Sequence, residues 1–167
     1  MPTTPSLDSI FVEHARFVWR CLRYFGLPES DLDDGLQEVF LIVHQRLATF
    51  EGRSSLRTWL YGISWRVAAA HLRRVRHVRE TSMAELPEPE PDGSPADVLA
   101  LRRDLLRALD TLDDDQRVVF VLYEIEQLGM KEVVEIVGCP LTTGYSRLQA
   151  ARERLAARLA VEDLHGG

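Results

Sequence analysis

The residues best suited to binding chemistry lie between Arg53 and Arg79, a segment with seven arginines, two histidines and no acidic residue. On a helix, positions 58, 62, 65, 69, 73 and 76 project the same way and bring Trp65 together with Arg73 and Arg76. Guanidinium groups grip a phosphate backbone, and an aromatic ring stacks on an unpaired base. The segment therefore predicts a nucleic-acid-binding helix face, with a partly buried packing role as the alternative for Trp65.

A second group of polar and basic residues follows Pro140. A short predicted helix at 130–137, a turn at 138–140 and a longer helix form a helix-turn-helix pattern. The start of the longer helix presents hydroxyl and guanidinium groups, as a recognition helix does in the major groove. The alternative is a solvated face whose cations are favourable near a helix C-terminus. The candidate residues are Thr142, Thr143, Tyr145, Ser146, Arg147 and Arg154.

An acidic segment precedes both groups. Five acids between Glu29 and Glu38 fall within ten residues that contain no basic residue. On a helix, they form an acidic face that also bears Gln37 and Leu41. Such a face repels DNA and suits a basic protein partner, although favourable first-turn charge explains Glu29 and Asp31 better.

The sequence contains no catalytic or metal-binding pattern. The five histidines form no HExxH or other close ligand set, and there is no glycine-rich phosphate loop or nucleophile motif. Cys21 and Cys139 are far apart and lack a CxxC partner, so we expect two reduced thiols. We predict no enzyme activity, no metal and no cofactor.

The composition is that of a folded protein, with 46% hydrophobic and 28% charged residues among 167 and a net charge of −6. The charge is unevenly distributed. Residues 1–79 carry 11 basic and 8 acidic residues, residues 80–97 carry 0 and 6, and residues 98–167 carry 9 and 12. Because no apolar run suits a secretory signal or a membrane span, we expect a cytoplasmic protein without membrane insertion.

The elements that must position these residues all read as helices. Residues 84–97 hold four prolines and five acids, a composition that opposes helix and strand and predicts an extended tether. Apolar residues spaced by three and four predict three helices before this tether and four after it. We therefore predict an all-α chain with a three-helix domain at 1–79, a flexible acidic linker at 80–95 and a four-helix domain at 96–167.

The same pattern predicts caps and core positions. Gly26 and Pro28 separate the first two helices, and Ser94 and Asp113 are predicted N-caps. Trp59 lies on the apolar stripe of the third helix, which favours a core role over a DNA contact. Other residues predicted to face inward include Phe11 in the first helix, Val98, Leu101, Leu105, Leu109 and Leu112 in the fourth, and Leu141, Leu148, Leu155 and Leu159 in the last.

These motifs together resemble a known family. The runs DLDDGLQEVF at 31–40, FEGR at 50–53, LRTWLYGI at 56–63 and LRR at 72–74 resemble domain two of the extracytoplasmic-function sigma factors of bacterial RNA polymerase. Residues 112–117, 119–120, 132–138, 143–148 and 151–152 resemble domain four. The resemblance covers about 8–79 and 96–160, in the family's order and with a linker between them.

The resemblance implies a factor that binds the polymerase core, recognises promoter DNA, melts it and initiates transcription. The face of helix two is implied to dock on the coiled coil of the largest polymerase subunit through Asp34, Gln37, Glu38, Phe40 and Leu41. The loop before helix three, with that helix, is implied to hold the minus-ten element open. The residues assigned to that task are Phe50, Arg53, Ser54, Ser55, Arg57, Trp65, Arg66, Arg73 and Arg76. The final helix is implied to read the minus-thirty-five element, and an anti-sigma factor is a further candidate partner.

Four residues depart from the family's pattern. Gly35 interrupts helix two and predicts a locally soft helix. Arg66 stands where the family usually has asparagine, which affects the minus-ten preference. Gly144 and Tyr145 replace the usual valine and lysine, and Tyr145 either supplies a hydroxyl contact or packs.

Three other classes of function compete with this interpretation. An operator-binding helix-turn-helix regulator would act without polymerase, and it would leave the acidic helix two without a use. An enzyme would need a catalytic set that the sequence does not offer. A purely structural helical adaptor would leave the acid-free arginine segment unexplained.

Overall fold

The computed structural model describes residues 5–81 and 95–165, and for residues 79–81 it describes the backbone alone. The chain divides into two compact units, Met1–Ser82 and Met83–Gly167. The described residues form α-helices and contain no strand, so the predicted all-α class is confirmed. Among these residues, no helix combines the length and apolarity needed to span a bilayer. The predicted linker at 80–95 falls almost wholly outside them.

The N-terminal unit consists of three helices, each packed against the other two. These are α1 (Leu7–Phe25), α2 (Glu29–Arg46) and α3 (Leu56–Thr81). Ser6 caps α1 by accepting a 3.2 Å hydrogen bond from the Ser9 amide, and Gly26 ends it with φ 112°. A short 3₁₀ turn, Leu47–Thr49, follows α2 and leads into the loop before α3.

Aromatic side chains join α3 to α1 in the core of this unit. Tyr61 of α3 packs edge-on against Phe17 of α1, with 4.7 Å between ring centroids. One turn further along α3, Trp65 packs in the same way against Phe25, with 5.6 Å between centroids. These contacts fix both the position of α3 and its rotation about its own axis.

Gly35 has a packing role that the sequence did not predict. It is buried in α2, and a Cβ atom there would lie 2.8 Å from Leu27 Cδ2 and 3.3 Å from Leu22 Cδ1. The absence of a side chain lets the end of α1 and the following turn approach α2. The glycine therefore accommodates a close contact within a continuous helix.

The C-terminal unit also contains a continuous series of helices. These are α4 (Ala96–Leu109), α5 (Asp114–Phe120), α6 (Met130–Val137) and α7 (Leu141–His165). The end of α5 widens into a π-helical turn, Val121–Ile125. Asp113 caps α5 by accepting a 2.8 Å hydrogen bond from the Gln116 amide, as predicted. The predicted cap Ser94 lies outside the described residues, and α4 begins directly after Pro95.

Several predicted core positions are wrong. Leu101 of α4 is 71% exposed, and Val98 is exposed as well. The reason is that α4 meets α7 near its C-terminal end, where Arg158 donates a hydrogen bond to the carbonyl of Arg107. The first half of α4 therefore extends beyond that packing surface. Other residues predicted to lie inside but found exposed are Phe11, Leu141 and Leu159.

The short helix α6 crosses close to the start of α7. Gly138 ends α6 with φ 78° and turns the chain toward α7. At the crossing, a Cβ atom on Gly144 would lie 2.5 Å from Val134 Cγ1 and 2.8 Å from Met130 Sδ. Gly144 therefore sets the distance between the two helices of the helix-turn-helix.

Gly144→Ala is expected to destabilise the C-terminal unit. Overpacking against a stiff valine costs about 1–3 kcal/mol, which outweighs the roughly 1 kcal/mol gained from the better helix propensity of alanine. Hydrogen exchange should show weaker protection of the amides of α6 and α7. Val134→Ala should relieve the clash, so the double variant should lose less stability than the two single changes together. Simple additivity in urea denaturation would contradict this account of Gly144.

Candidate nucleic-acid and protein interfaces

The outward face of α3 differs from the predicted one. With 3.6 residues per turn, Trp59, Gly62, Arg66 and Arg73 project within about 60° of one another. We call these four residues the α3 face. Trp65 points about 90° away from its centre and is only 8% exposed. The expectation that Trp65 offers an open stacking surface is therefore wrong, because its ring is packed against Phe25.

Trp59 provides the aromatic ring on this face. It is half-buried and packs against Phe50, with 4.9 Å between ring centroids and 41° between ring planes. Phe50 opens the loop that precedes α3, so the pair joins the loop to the first turn of the helix. Sequence reasoning assigned Trp59 to the core because it counted the apolar stripe alone. The register of the helix places Trp59 on the same side of α3 as Arg66 and Arg73.

The loop before α3 presents short polar groups. Arg53 is exposed and pairs with Glu51 at 2.6 Å. Ser55 caps α3 by accepting a 3.0 Å hydrogen bond from the Thr58 amide, and its hydroxyl also donates to Thr58 Oγ1. Ser54 donates to the Ser55 carbonyl at 3.3 Å. Both predicted serines are exposed, but Ser55 already has a local structural role.

The arginines of α3 have different environments. Within the described part of the chain, Arg66 and Arg73 are exposed and make no ion pair or hydrogen bond. Arg57 lies with its guanidinium 4.4 Å from the centroid of Phe17 and donates to the Tyr61 hydroxyl at 3.2 Å. Arg76 is exposed at the edge of the α3 face. The two arginines on the face are therefore available to a ligand, while Arg57 is held by its own unit.

The exposed surface of α2 contains part of the predicted docking set. Asp34, Gln37 and Leu41 are exposed and share one side of the helix, with Leu41 61% exposed. Phe40, also predicted to dock, is only 7% exposed because its ring packs on Phe11 at 4.8 Å between centroids. Phe11 is 45% exposed and belongs to the same region of surface.

Glu38 is tied to the neighbouring helix. Its Oε2 lies 2.8 Å from His71 Nε2 and 3.8 Å from Arg74 of α3. The carboxylate remains partly exposed, but its charge is balanced within the unit. Glu38 therefore joins α2 to α3, in addition to the docking role that the sequence predicted.

The start of α7 presents an uncharged polar face. Thr142, Tyr145, Ser146 and Gln149 project to one side and are exposed, and we call them the α7 face. Gln149 was not among the predicted residues, although its spacing from Thr142 and Ser146 could have identified it. Its amide donates to Glu153 at 3.1 Å.

Three predicted residues of α7 lie off that face. Thr143 is half-buried, and Arg147 is directed toward α5, where its guanidinium lies 3.5 Å from Asp115. Arg154 donates a 3.4 Å hydrogen bond to the carbonyl of Thr111. The two arginines therefore connect α7 to the rest of its own unit, and sequence spacing alone did not separate these contacts from outward ones.

The described residues contain no group of three or more side chains arranged to hold a metal ion. Cys21 is buried and Cys139 half-buried, and neither forms a disulfide. The surfaces described above therefore offer charge, stacking and hydrogen bonding as their chemistry.

Comparisons with known proteins identify both halves of the chain. Residues 10–78 match Sigma-70 region 2, and residues 102–155 match Sigma-70 region 4. The chain is 33% identical over 162 residues to a "Probable RNA polymerase sigma-C factor" of Mycobacterium bovis, covering 96% of this chain and 87% of the relative. It is 28% identical over 143 residues to the "ECF RNA polymerase sigma-E factor" of Escherichia coli K12, covering 77% and 74%.

Two solved structures share the fold. The sigma factor RpoE of Bartonella quintana, in complex with the anti-sigma factor NepR, has a TM-score of 0.76 at 23% identity and covers 92% of this chain and 96% of that one. CnrH, in complex with the cytosolic domain of CnrY, has a TM-score of 0.68 at 24% identity, with coverages of 93% and 88%. With region 2 and region 4 matched in order, and with a relative at 33% identity aligned over 96% of this chain, the chain belongs to the extracytoplasmic-function sigma factors of bacterial RNA polymerase.

Proposed function

We propose that this sigma factor divides its tasks among three surfaces. The exposed side of α2 docks on the core polymerase, the α3 face holds the unwound minus-ten strand, and the α7 face reads the minus-thirty-five element. The observation that carries the proposal is the α3 face, where a half-buried tryptophan and two arginines that have no ion pair among the described residues lie along one side of the helix. An operator-binding regulator is not favoured, since both halves of the chain match sigma regions.

Promoter melting requires a surface that binds an unpaired strand better than a duplex. Trp59 can stack on a base that has left the duplex, and Arg66 and Arg73 can pair with phosphates about two and four turns further along α3. The Phe50 ring supports Trp59 from the side of the loop. Binding energy alone can hold the strand open, so this task requires no catalytic residue.

Docking on the core polymerase is assigned to Asp34, Gln37 and Leu41. Acidic and apolar groups on one side of a helix suit a basic coiled coil, because the charges attract and the leucine is removed from water. Phe40 is buried beneath this surface, where its ring packs against Phe11. We do not assign it a direct contact.

Reading of the minus-thirty-five element is assigned to hydroxyl and amide groups. Glutamine can bond bidentately to adenine, and serine or threonine bonds to several bases in the major groove. Tyr145 is 52% exposed, which favours the hydroxyl contact over the packing role. Phosphate contacts must then come from cations outside the α7 face.

The partners follow from the family. The sigma factor RpoE is in complex with the anti-sigma factor NepR, and CnrH is in complex with the cytosolic domain of CnrY. An anti-sigma protein is proposed as a partner here. The acidic linker at 80–95 is proposed to act as a flexible tether between the two DNA-binding units. Because bacterial core polymerase works in the cytoplasm, the protein is proposed to act there without enzymatic activity of its own.

Reconstitution with bacterial core polymerase tests the proposal as a whole. The purified chain is mixed with core, the holoenzyme is supplied with genomic DNA, and the transcripts are sequenced to identify their start sites. Shared sequence elements upstream of those starts would support promoter-specific initiation. A chain that fails to bind core at low salt, in the absence of any inhibitor, would overturn the assignment.

Asp34→Arg is expected to weaken core binding at least about tenfold, because reversal of an interfacial charge replaces attraction with repulsion. Asp163→Arg is the matched control, since it makes the same charge change at an exposed position of α7. Competition against the unmodified protein for a limited amount of core measures both variants. Equal losses for the two would point to net charge and not to the α2 surface.

Trp59→Ala is expected to reduce the yield of open promoter complexes at least about fivefold, because stacking on a base contributes roughly 1–3 kcal/mol. Trp65→Ala is expected instead to lower the free energy of unfolding by about 3–5 kcal/mol, because it empties a core site. Permanganate reactivity of unpaired thymines and urea denaturation measure the two effects. Trp65→Phe is the control, and it should melt the promoter normally. Normal melting by Trp59→Ala would remove the ring from the proposed site.

Gln149→Ala is expected to relax discrimination at one position of the upstream element by about 1–3 kcal/mol. Arg154→Ala should leave discrimination intact and reduce stability, because its contact is with the Thr111 carbonyl. Run-off transcription from a set of single-base variants of the cognate promoter distinguishes these effects. An unchanged pattern of base preference in the Gln149 variant would exclude a direct contact.

A further inference from the structure

Within residues 5–81 and 95–165, three glycines lie inside helices, and two of these have a packing reason. A Cβ on Gly35 would meet Leu27 and Leu22, and a Cβ on Gly144 would meet Val134 and Met130. A Cβ on Gly62 would meet nothing within 4 Å. Gly62 is the seventh residue of α3, past its first turn, and forms part of the α3 face.

A glycine in a helix interior lowers helix stability relative to alanine, because its backbone loses more conformational freedom on folding. At Gly35 and Gly144, this loss is offset by close helix packing. At Gly62, the N-terminal unit has space for a methyl group and gains no contact from its absence. The structure of the free protein therefore gives no reason for a glycine at this position.

We propose that Gly62 keeps the backbone of α3 open to the unwound minus-ten strand. The strand would pack directly against the helix at this point, in a contact that a side chain would block. This inference rests on the proposed melting function and adds a specificity-determining position to it. Glycine permits such close approaches because it has no Cβ.

The neighbours of Gly62 on the α3 face indicate how the strand would lie. Trp59 is almost one turn earlier on α3, and Arg66 is about one turn later, so Gly62 sits between a stacking ring and a cation. A nucleotide whose base stacks on Trp59 would place its sugar over Gly62 and direct a phosphate toward Arg66. Because Arg66 makes no ion pair within residues 5–81 and 95–165, it can accept that phosphate without losing a protein contact.

A duplex fits this arrangement less well than a single strand. In a duplex, the face of a base is covered by its stacked neighbours, so Trp59 cannot stack on it and the sugar is not drawn to Gly62. The proposed contact therefore forms only after bases have unstacked. It would stabilise the open promoter more than the closed one.

The test compares Gly62→Ala and Gly62→Leu with the unmodified sigma factor, each assembled with core polymerase. Both variants should fold, and Gly62→Ala should raise the melting temperature of the free protein by about 4 °C through better helix propensity. Both should bind core normally, since Gly62 is not on the α2 surface. Ala160→Leu is the control, because it adds the same side chain as Gly62→Leu at an exposed position near the C-terminal end of α7.

Two measurements report on the contact itself. The first is the yield of heparin-resistant open complex on a promoter identified by transcript sequencing, and the second is holoenzyme affinity for a single-stranded oligonucleotide carrying the minus-ten sequence of the displaced strand. Forcing a side chain into a packed contact should reduce both by about fivefold or more in Gly62→Leu, and by a smaller factor in Gly62→Ala. A variant that is more stable yet melts promoters less well is the expected signature.

Each alternative result has a distinct meaning. If the unmodified protein initiates transcription and Gly62→Leu is equally active, the inference is overturned and the proposed function remains intact. Reduced core binding by the Gly62 variants would also overturn it, because the position would then serve docking. Failure of the unmodified holoenzyme to initiate would overturn the proposed function and, with it, the inference.

Discussion

The burial of Trp65 and Tyr61 against α1 is the constraint on which the N-terminal interface depends. Each residue of an α-helix is rotated by about 100° from the one before it, so fixing two inward rings fixes the direction of every other side chain. With these rings on Phe25 and Phe17, the opposite side of α3 carries Trp59, Gly62, Arg66 and Arg73. A rotation that exposed Trp65 would turn this line partly into the core and bury uncompensated charge, which is far more costly than exposing one aromatic ring.

In the C-terminal unit, buried residues likewise determine which side of α7 faces outward. Leu148 and Ala151 face the interior of the unit, and Gly144 meets α6 at the crossing. These three positions turn Ser146 and Gln149 outward. The family's usual valine at position 144 would not fit this crossing without movement of Val134 or Met130. The glycine at this position and the two α6 side chains that face it are therefore matched in size.

Much of this fold could be predicted from the sequence, because helix spacing and capping are local properties. The cap at Asp113 and the short helix before Gly138 follow from residues within a few positions of each. The exposure of Leu101 could not be predicted, since it depends on where α4 meets a helix about fifty residues later. The π-helical turn after α5 could not be predicted from the sequence either, because the spacing of apolar residues does not reveal that a single turn of a helix is wider.

The candidate site shows the same division between local and distant information. The arginine-rich helix could be predicted from the sequence, but the burial of Trp65 could not, because Trp65 lies 60° from Gly62 while Phe25, which buries it, is distant in the sequence. Glu38 is a similar case, since its pairing with His71 spans two helices.

Ion pairs distinguish the arginines that stabilise the C-terminal unit from the two arginines of the α3 face. Arg117 lies against Asp110 at 2.8 Å, and Arg152 donates a 2.7 Å hydrogen bond to Glu124, so both are balanced within the C-terminal unit. Arg66 and Arg73 have no such partner among the described residues. A net charge of −6 weakens the long-range attraction of the whole chain to DNA, but it does not cancel the local field of these two guanidinium groups, which lie about two turns apart on the same side of α3. Under the proposed function, selectivity for the unwound strand must therefore arise at short range, from geometry that only an unstacked nucleotide can satisfy.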